Sequence, residues 1–193
     1  MNKKIIPKSF CYAFYKAKYG TLFSKIIAFW TFGDYSHTEV VFSKACTDWY
    51  YDHITPEERI NLIETSIDQM RSHKIEELRL SFSASERDKC VRFKLIYFNP
   101  SHWDFILAKF RDTYPPTLEQ EILIIEYCKD MEGAGYDYLG LGSFILQKIR
   151  LIKPDPEKYW CSETTERVAY YCRDLTCTQN EPPSPSKLYK LIT

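Results

Sequence analysis

Residues 78–98 read LRLSFSASERDKCVRFKLIYF, and this stretch decides the fold class. Apolar and polar residues alternate on both sides of the polar turn SASERDK, as they do in strands that bury one face. Strands joined by so short a turn pair in antiparallel fashion. The stretch therefore predicts an antiparallel pair formed by 78–82 and 91–98.

Two earlier runs also have the composition of strands. They are 10–15 (FCYAFY) and 37–42 (HTEVVF). Between the second run and the pair lies a polar, proline-containing stretch with one short strand-like piece, 60–65 (INLIET). We interpret this stretch as an extended excursion from the sheet.

Helical patterns flank the strands. Apolar residues recur at helical spacing in 21–30, and Thr117 with Gln120 forms a capping box before an amphipathic run to Met131. A third helix is predicted over 162–172, after the proline-rich loop KPDPEKYW. The sequence thus predicts an α+β fold, a small antiparallel sheet packed with helices.

Length and charge limit the function classes. The 193 residues fit one domain, and the 26 basic and 26 acidic residues leave no net charge that would attract a nucleic acid or an anionic membrane. The first residues lack a signal-peptide pattern, and the apolar run near Lys25 is too short for a membrane span. We expect a cytoplasmic protein with no transmembrane segment and no nucleic-acid partner.

Seven cysteines are scattered along the chain without a CxxC pair, so neither a zinc site nor any other metal site is expected. The glycines form no nucleotide-binding fingerprint, and no cofactor is predicted. In a reducing compartment most of these cysteines would be free thiols packed as small apolar residues.

One cysteine has distinctive surroundings. Residues 159–164 read YWCSET, which places Cys161 at the start of the third helix. The positive end of a helix dipole stabilises a thiolate and makes such a cysteine a nucleophile candidate. Of the four histidines, only His37 begins a strand after a glycine-bearing turn, in GDYSHTEVVF; the others lie in polar or turn segments.

These phrases resemble a known family. YSHTEVVF and WCSETTERV, in this order, resemble the histidine and cysteine motifs of the circularly permuted papain-like hydrolases. That family is related to the NlpC-type peptidases and includes YiiX-like proteins and the lecithin:retinol acyltransferase group. SFSASERDKCVRF and YDYLGLGSF are similar to motifs of phage-encoded members. The resemblance covers nearly the whole chain except 44–77, which it marks as an insertion into a single domain of residues 1–193.

The resemblance implies a permuted papain-like fold and a thiol hydrolase, with Cys161 as nucleophile and His37 as proton carrier. Substrates would be a peptide, an isopeptide or an acyl lipid. The alternatives are a lipid acyltransferase, or a catalytically silent module that binds or inhibits a host protein, in the host cytoplasm if the chain is viral.

The residue that orients His37 has several candidates. Glu39 lies two positions after His37 and so points to the same face of the strand. Glu64 resembles a YiiX-like motif, and Ser83 or Ser85 fits the phage-type turn. We favour Glu39, because a carboxylate both fixes the imidazole tautomer and stabilises imidazolium.

Overall fold

A seven-stranded sheet forms the centre of the fold, in a computed structural model that describes residues 6–137, 158–175 and 183–193. The spatial order of the strands is β5-β1-β2-β3-β4-β6-β7, and every neighbouring pair is antiparallel except β6 and β7. The strands are β1 (Cys11–Lys16), β2 (Tyr35–Val41), β3 (Arg79–Ser85), β4 (Cys90–Ile96), β5 (Trp103–Leu107), β6 (Gly135–Tyr136) and β7 (Lys158–Tyr159).

The pair predicted from 78–98 is confirmed. Strands β3 and β4 pair along their whole length, from Arg79 opposite Ile96 to Ser85 opposite Cys90. Their alternate apolar side chains lie on one face and are buried in the main core; these are Leu80, Phe82, Ala84, Val91, Phe93 and Leu95. The apolar residues of the alternating pattern therefore lie on the face of the sheet that packs on the main core, and the residues between them lie on the opposite face.

Six α-helices surround the sheet in the described ranges: α1 (Leu22–Trp30), α2 (Lys44–His53), α3 (Pro56–Met70), α4 (Leu118–Lys129), α5 (Cys161–Tyr171) and α6 (Pro185–Ile192). The three predicted helices are confirmed with small shifts at their ends, and the Thr117–Gln120 capping box is present. The fold class is mixed α+β, as predicted. None of these helices has the length and apolar character needed to cross a membrane.

The strand-like piece 60–65 was a wrong prediction, because these residues lie inside α3. Thr55 caps this helix in a capping box with Glu58, and Pro56 occupies the first turn, where its missing N–H costs nothing. These signals define a helix start, and they outweigh the short apolar run INLIET.

In the chain, helices α2 and α3 lie between β2 and β3, which are neighbours in the sheet. Helix α3 covers the part of the β4 edge beyond Cys90, the residue at which β6 pairs with β4. The Leu95 N–H donates to Ser66 Oγ at 2.8 Å, and the Tyr97 N–H donates to Gln69 Oε1 at 3.2 Å. An uncovered edge would leave these donors available for pairing with another chain. The excursion between β2 and β3 therefore covers these donors at the edge of β4.

Several elements were missed from the sequence: helices α2, α3 and α6 and strands β5, β6 and β7. Strand β5 pairs with β1 at the sheet edge, and the preceding Asn99-Pro100 turn concealed its short apolar run. Helix α6 packs on the core, where Leu188 is fully buried and Tyr189 packs edge-on against Phe14. The sheet is consequently larger than predicted.

The sheet opens between β2 and β3. Their ladder joins Val40 to Phe82 and Val41 to Ser81, at the C-terminal end of β2 and the middle of β3. Toward the other end, side chains make the contacts, with Ser83 Oγ donating to the Thr38 carbonyl at 2.7 Å. The start of α5 packs at this opening, which brings Cys161 to β2.

Candidate active site

Helix α5 is held at the opening by two threonines of its first turns. Thr164 Oγ1 accepts from the Ala84 N–H of β3 at 3.4 Å, and Thr165 Oγ1 lies 2.9 Å from Thr38 Oγ1 of β2. Both hydroxyls also donate to the Cys161 carbonyl, at 2.8 and 3.1 Å. The position of Cys161 is therefore fixed to both strands.

His37 and Glu39 lie two residues apart on the same face of β2. The His37 Nε2 atom is 2.8 Å from Glu39 Oε1. Glu39 is almost fully buried, whereas 27% of the His37 side chain remains exposed. This contact occupies Nε2 and leaves Nδ1 as the nitrogen that can exchange a proton with another group.

Arg92 of β4 holds Glu39 from the other side. Its guanidinium donates to both carboxylate oxygens, at 3.0 and 2.8 Å, and its Nε donates to Asp88 at 2.9 Å. Burial alone would raise the pKa of Glu39, but the charge of Arg92 and the hydrogen bond to His37 lower it to about 2. Glu39 is consequently an anion throughout the neutral range.

The charges continue along the same face. Lys94, two residues after Arg92, lies 3.5 Å from Asp88 and 3.4 Å from Asp68 of α3. Both cations are almost fully buried, and each is paired with carboxylates, as buried charges require. A connected row of alternating charges therefore runs from His37 to α3.

Cys161 is the first residue of α5, and it interacts with His37 by charge and by a side-chain hydrogen bond. The Thr38 backbone also bonds to the thiol. Burial would raise the pKa of Cys161, but the His37 charge and these two hydrogen bonds outweigh burial and lower it. The result is a thiol that ionises more easily than an ordinary cysteine.

The pKa values of the other described cysteines are shifted in the opposite direction. Burial raises the pKa of Cys11 to about 12, and it raises the pKa values of Cys46, Cys90, Cys128 and Cys172 as well. The seventh cysteine, Cys177, lies outside the described residues. Among the six described cysteines, the lowered pKa belongs to Cys161, which is the one that contacts a histidine.

The same contact acts on His37. Burial by itself would lower the pKa of His37, but the charge of Cys161 and the hydrogen bonds to Cys161 and Glu39 raise it to about 10. Trp103 lies beside the imidazole, with ring centroids 6.2 Å apart. The arrangement favours a thiolate and an imidazolium held side by side.

A cleft of about 310 Å³ opens on this face of the sheet. His37, Glu39 and Arg92 line it together with Phe23 and Ile27 of α1 and with Trp103. Cys161 is only 4% exposed and does not itself line this cleft. A substrate in this cleft would therefore meet both charged and apolar side chains.

The helix start supplies hydrogen-bond donors at the same place. The first N–H groups of a helix have no acceptor within the helix, and they lie at the positive end of its dipole. Trp160 precedes α5, and an indole has no acceptor that could occupy them. The first turn of α5 can therefore stabilise negative charge beside Cys161.

The alternative partners for His37 lie elsewhere. Glu64 is exposed on α3. Ser83 donates to the Thr38 carbonyl, and Ser85 Oγ accepts from the Asp88 N–H at 3.2 Å. The geometry brings Glu39, and neither Glu64 nor these two serines, into hydrogen-bond contact with His37.

Sequence reasoning missed Arg92 and the backbone of Thr38. A signal for Arg92 was present, because VRFKLIYF places two cations on alternate positions of a strand whose other face is apolar. A buried cation requires a buried anion, and Glu39 is that anion. The Thr38 contact depends on the sheet opening and has no sequence signal.

The remaining histidines stack on aromatic rings away from Cys161. His53 stacks on Trp49, His73 on Tyr97 and His102 on Tyr19, with ring centroids 4.8, 4.0 and 4.4 Å apart. In the described part of the chain no cluster of three or more histidine, cysteine or acidic side chains could hold a metal ion.

The YDYLGLGSF motif, 136–144, lies mostly outside the described residues. Tyr136, its first residue, lines the cleft. Comparisons with family models, curated proteins and solved structures found no match to this chain. The geometry of the site therefore carries the functional argument.

Proposed function

We propose that this protein is a cysteine hydrolase that cleaves an amide or ester bond through a Cys161 thiolate, with His37 as its proton carrier. The observation that carries the proposal is the placement of Cys161 at the start of α5, which Thr165 ties to Thr38 of β2, next to His37 and its partner Glu39. The pKa of Cys161 is also lowered, in contrast to the raised pKa values of the five other described cysteines. Nucleophilic cysteines have this combination of a depressed pKa and a neighbouring histidine.

The proposed reaction has two halves. The thiolate adds to the substrate carbonyl carbon, and the resulting oxyanion is stabilised by N–H groups at the start of α5. The imidazolium of His37 then protonates the leaving amine or alcohol as the bond to it breaks, which leaves a thioester on Cys161. Neutral His37 next takes a proton from water, the hydroxide adds to the thioester, and the thiolate leaves with the acid as product.

Glu39 and Arg92 support this chemistry without touching the substrate carbonyl. Glu39 fixes the orientation of the imidazole and stabilises its protonated form, because its own charge is maintained by Arg92. We class both as positioning residues. The arrangement of a strand histidine before a helix-start cysteine also supports the permuted papain-like fold as part of the proposal.

The substrate would be a peptide, an isopeptide or an acyl lipid. Phe23, Ile27 and Trp103 give the cleft an apolar side, and this favours a substrate with an apolar group next to the scissile bond. Transfer of the acyl group to an alcohol or amine instead of water would make the same site an acyltransferase.

The proposal is tested with thiol electrophiles and with model substrates. We expect iodoacetamide to label Cys161 faster in the native protein than in urea, and faster than it labels the partly exposed Cys90. Cys161→Ala should abolish hydrolysis of a panel of peptide, isopeptide and acyl-ester substrates read by mass spectrometry, whereas Cys90→Ala should not. Labelling of Cys161 no faster in the native state than in urea would refute the proposal.

A further inference from the structure

Strand β2 contains a β-bulge directly before His37. The register of β1 and β2 places Tyr15 opposite His37. The next pair is Lys16 with Tyr35, so Ser36 is an extra residue with no counterpart on β1. Bulges of this kind re-aim side chains and are common next to active sites.

The bulge changes which face of the sheet its neighbours occupy. In a regular strand Tyr35 and His37 would lie on the same face. Tyr35 packs against the main core, with its ring centroid 5.6 Å from that of Phe14. His37 lies beside Trp103, on the face that carries the cleft, with ring centroids 6.2 Å apart. Ser36 lines the cleft together with His37, so the bulge adds a second polar side chain of β2 to the site.

The hydroxyl of Ser36 is buried with its hydrogen-bonding capacity unused. Ser36 is 5% exposed, and its Oγ has no hydrogen-bond partner among the described residues. Buried hydroxyls in folded proteins are rarely left unbonded, because nothing then offsets their loss of water. Since Oγ makes no bond, a rotation about the Cα–Cβ bond can turn it toward the cleft without breaking one.

The residues on either side of Ser36 have polar partners within the protein. The Tyr35 N–H donates to Ser186 Oγ at 3.0 Å, and His37 Nε2 is 2.8 Å from Glu39 Oε1. In the described part of the chain no residue takes up the Ser36 hydroxyl in the same way. A molecule bound in the cleft is therefore the partner that its position allows.

We propose that the Ser36 hydroxyl binds a polar group of the substrate near the scissile carbonyl. The inference rests on the proposed function, in which the neighbouring His37 carries the proton. A hydroxyl both donates and accepts hydrogen bonds, so it fits an amide or a hydroxyl group of the substrate. An alkyl chain at the same place would leave Ser36 without a partner. The site therefore selects substrates that carry an amide or a hydroxyl near the bond that is cleaved, and Ser36 determines this specificity.

Two activated esters that differ by one amide test the proposal. The p-nitrophenyl ester of N-acetylalanine carries an amide next to the scissile carbonyl, and the p-nitrophenyl ester of α-methylvaleric acid has a plain carbon chain of the same length. We expect Ser36→Ala to lower the preference for the first ester, measured as the ratio of the two kcat/KM values, about tenfold relative to wild type. Release of p-nitrophenolate gives both rates, and comparing variants cancels the intrinsic reactivity of the esters.

A measurement of folding separates this role from a structural one. Ser36→Ala should leave the free energy of unfolding unchanged or raise it, because the hydroxyl has no hydrogen bond to lose within the described protein. Ser81→Ala is the matched control on the neighbouring strand, since the buried Ser81 Oγ donates to the Lys94 carbonyl at 3.1 Å. It should lower the free energy of unfolding and keep the wild-type substrate preference.

This inference and the proposed function fail in different ways. If hydrolysis requires Cys161 but the substrate preference is the same in wild type and Ser36→Ala, the inference alone is overturned. A clear loss of unfolding free energy in Ser36→Ala, or an equal loss of preference in Ser81→Ala, would also overturn it. If wild type hydrolyses neither ester, or Cys161→Ala hydrolyses both as fast as wild type, the proposed function is wrong and the inference falls with it.

Discussion

Arg92 donates two hydrogen bonds to the carboxylate of Glu39, to Oε2 at 3.0 Å and to Oε1 at 2.8 Å, and the same Oε1 contacts His37 Nε2. Glu39 is therefore shared between a permanent cation and an imidazole. Arg92 keeps the carboxylate of Glu39 ionised. The protonation state of His37 therefore depends on Arg92, a residue of β4 that His37 does not contact.

Removing the cation should destabilise the fold. Arg92→Met leaves the buried Glu39 without its permanent cation, and breaking a buried pair in this way costs about 3–5 kcal/mol. Urea denaturation measures this loss in unfolding free energy. Arg87→Met is the control, because its side chain is 72% exposed and its pair with Asp68 should contribute less than about 1 kcal/mol. Equal losses in both variants would contradict a special role for Arg92.

Substitution of Glu39 separates its effect on the orientation of His37 from its effect on folding. Glu39→Gln keeps the shape but removes the charge that stabilises imidazolium, so activity should fall by a factor on the order of 10 to 10⁴. Circular dichroism should show a native fold. Glu64→Gln, on the exposed face of α3, should leave activity unchanged; a large loss there with Glu39→Gln active would reverse the assignment.

The free energy of unfolding at acid pH should depend on the carboxylate of Glu39. Its pKa is lowered from 4.5 to about 2, so its contribution to stability is present above pH 4.5 and is lost as the pH falls toward 2. Wild type should lose on the order of 3 kcal/mol more than Glu39→Gln over this interval. Unfolding free energies measured in urea at several pH values give the difference, and parallel curves would show that Glu39 is not the group responsible.

The thiolate should depend on His37. In wild type the Cys161 labelling rate should rise with pH through a midpoint below 9, and in His37→Gln this midpoint should move above 9, because burial remains while the favourable charge is gone. Labelling at neutral pH should then slow by at least about tenfold. Cys90 in the same sample is the internal reference, and a midpoint unchanged by the substitution would refute the ion pair.

The contact that holds α5 against β2 can be tested by removing one hydroxyl group. Thr165→Val keeps the side-chain volume but leaves the buried Thr38 hydroxyl without the Thr165 oxygen, at a cost of about 1–3 kcal/mol. Cys161 labelling should also slow, because Thr165 bonds to the Cys161 carbonyl. Thr65→Val, which removes a similar bond to a helix carbonyl on α3, is the control and should change both quantities little.

Local signals in the sequence determined much of this molecule. Alternation in 78–98 predicted β3 and β4, and the capping box at Thr117 predicted α4, because these patterns act between residues close in the chain. The placement of Cys161 at a helix start and of Glu39 beside His37 on one strand face follows from the same short-range geometry. The strand misread at 60–65 shows the limit, since a cap outside the apolar run decided its structure.

Tertiary structure decided which of these residues meet. Cys161 reaches His37 because β2 and β3 pair only near Val40 and Val41 and then separate, and α5 is fastened at that opening. Arg92 reaches Glu39 because β3 and β4 carry it to the same face of the sheet, 53 residues away in the chain. Pairings of this kind depend on strand order and packing, which contacts between neighbours in sequence do not specify. The lowered pKa of Cys161 is a property of that assembly, since the sequence gives all seven cysteines the same thiol and the fold places His37 beside Cys161.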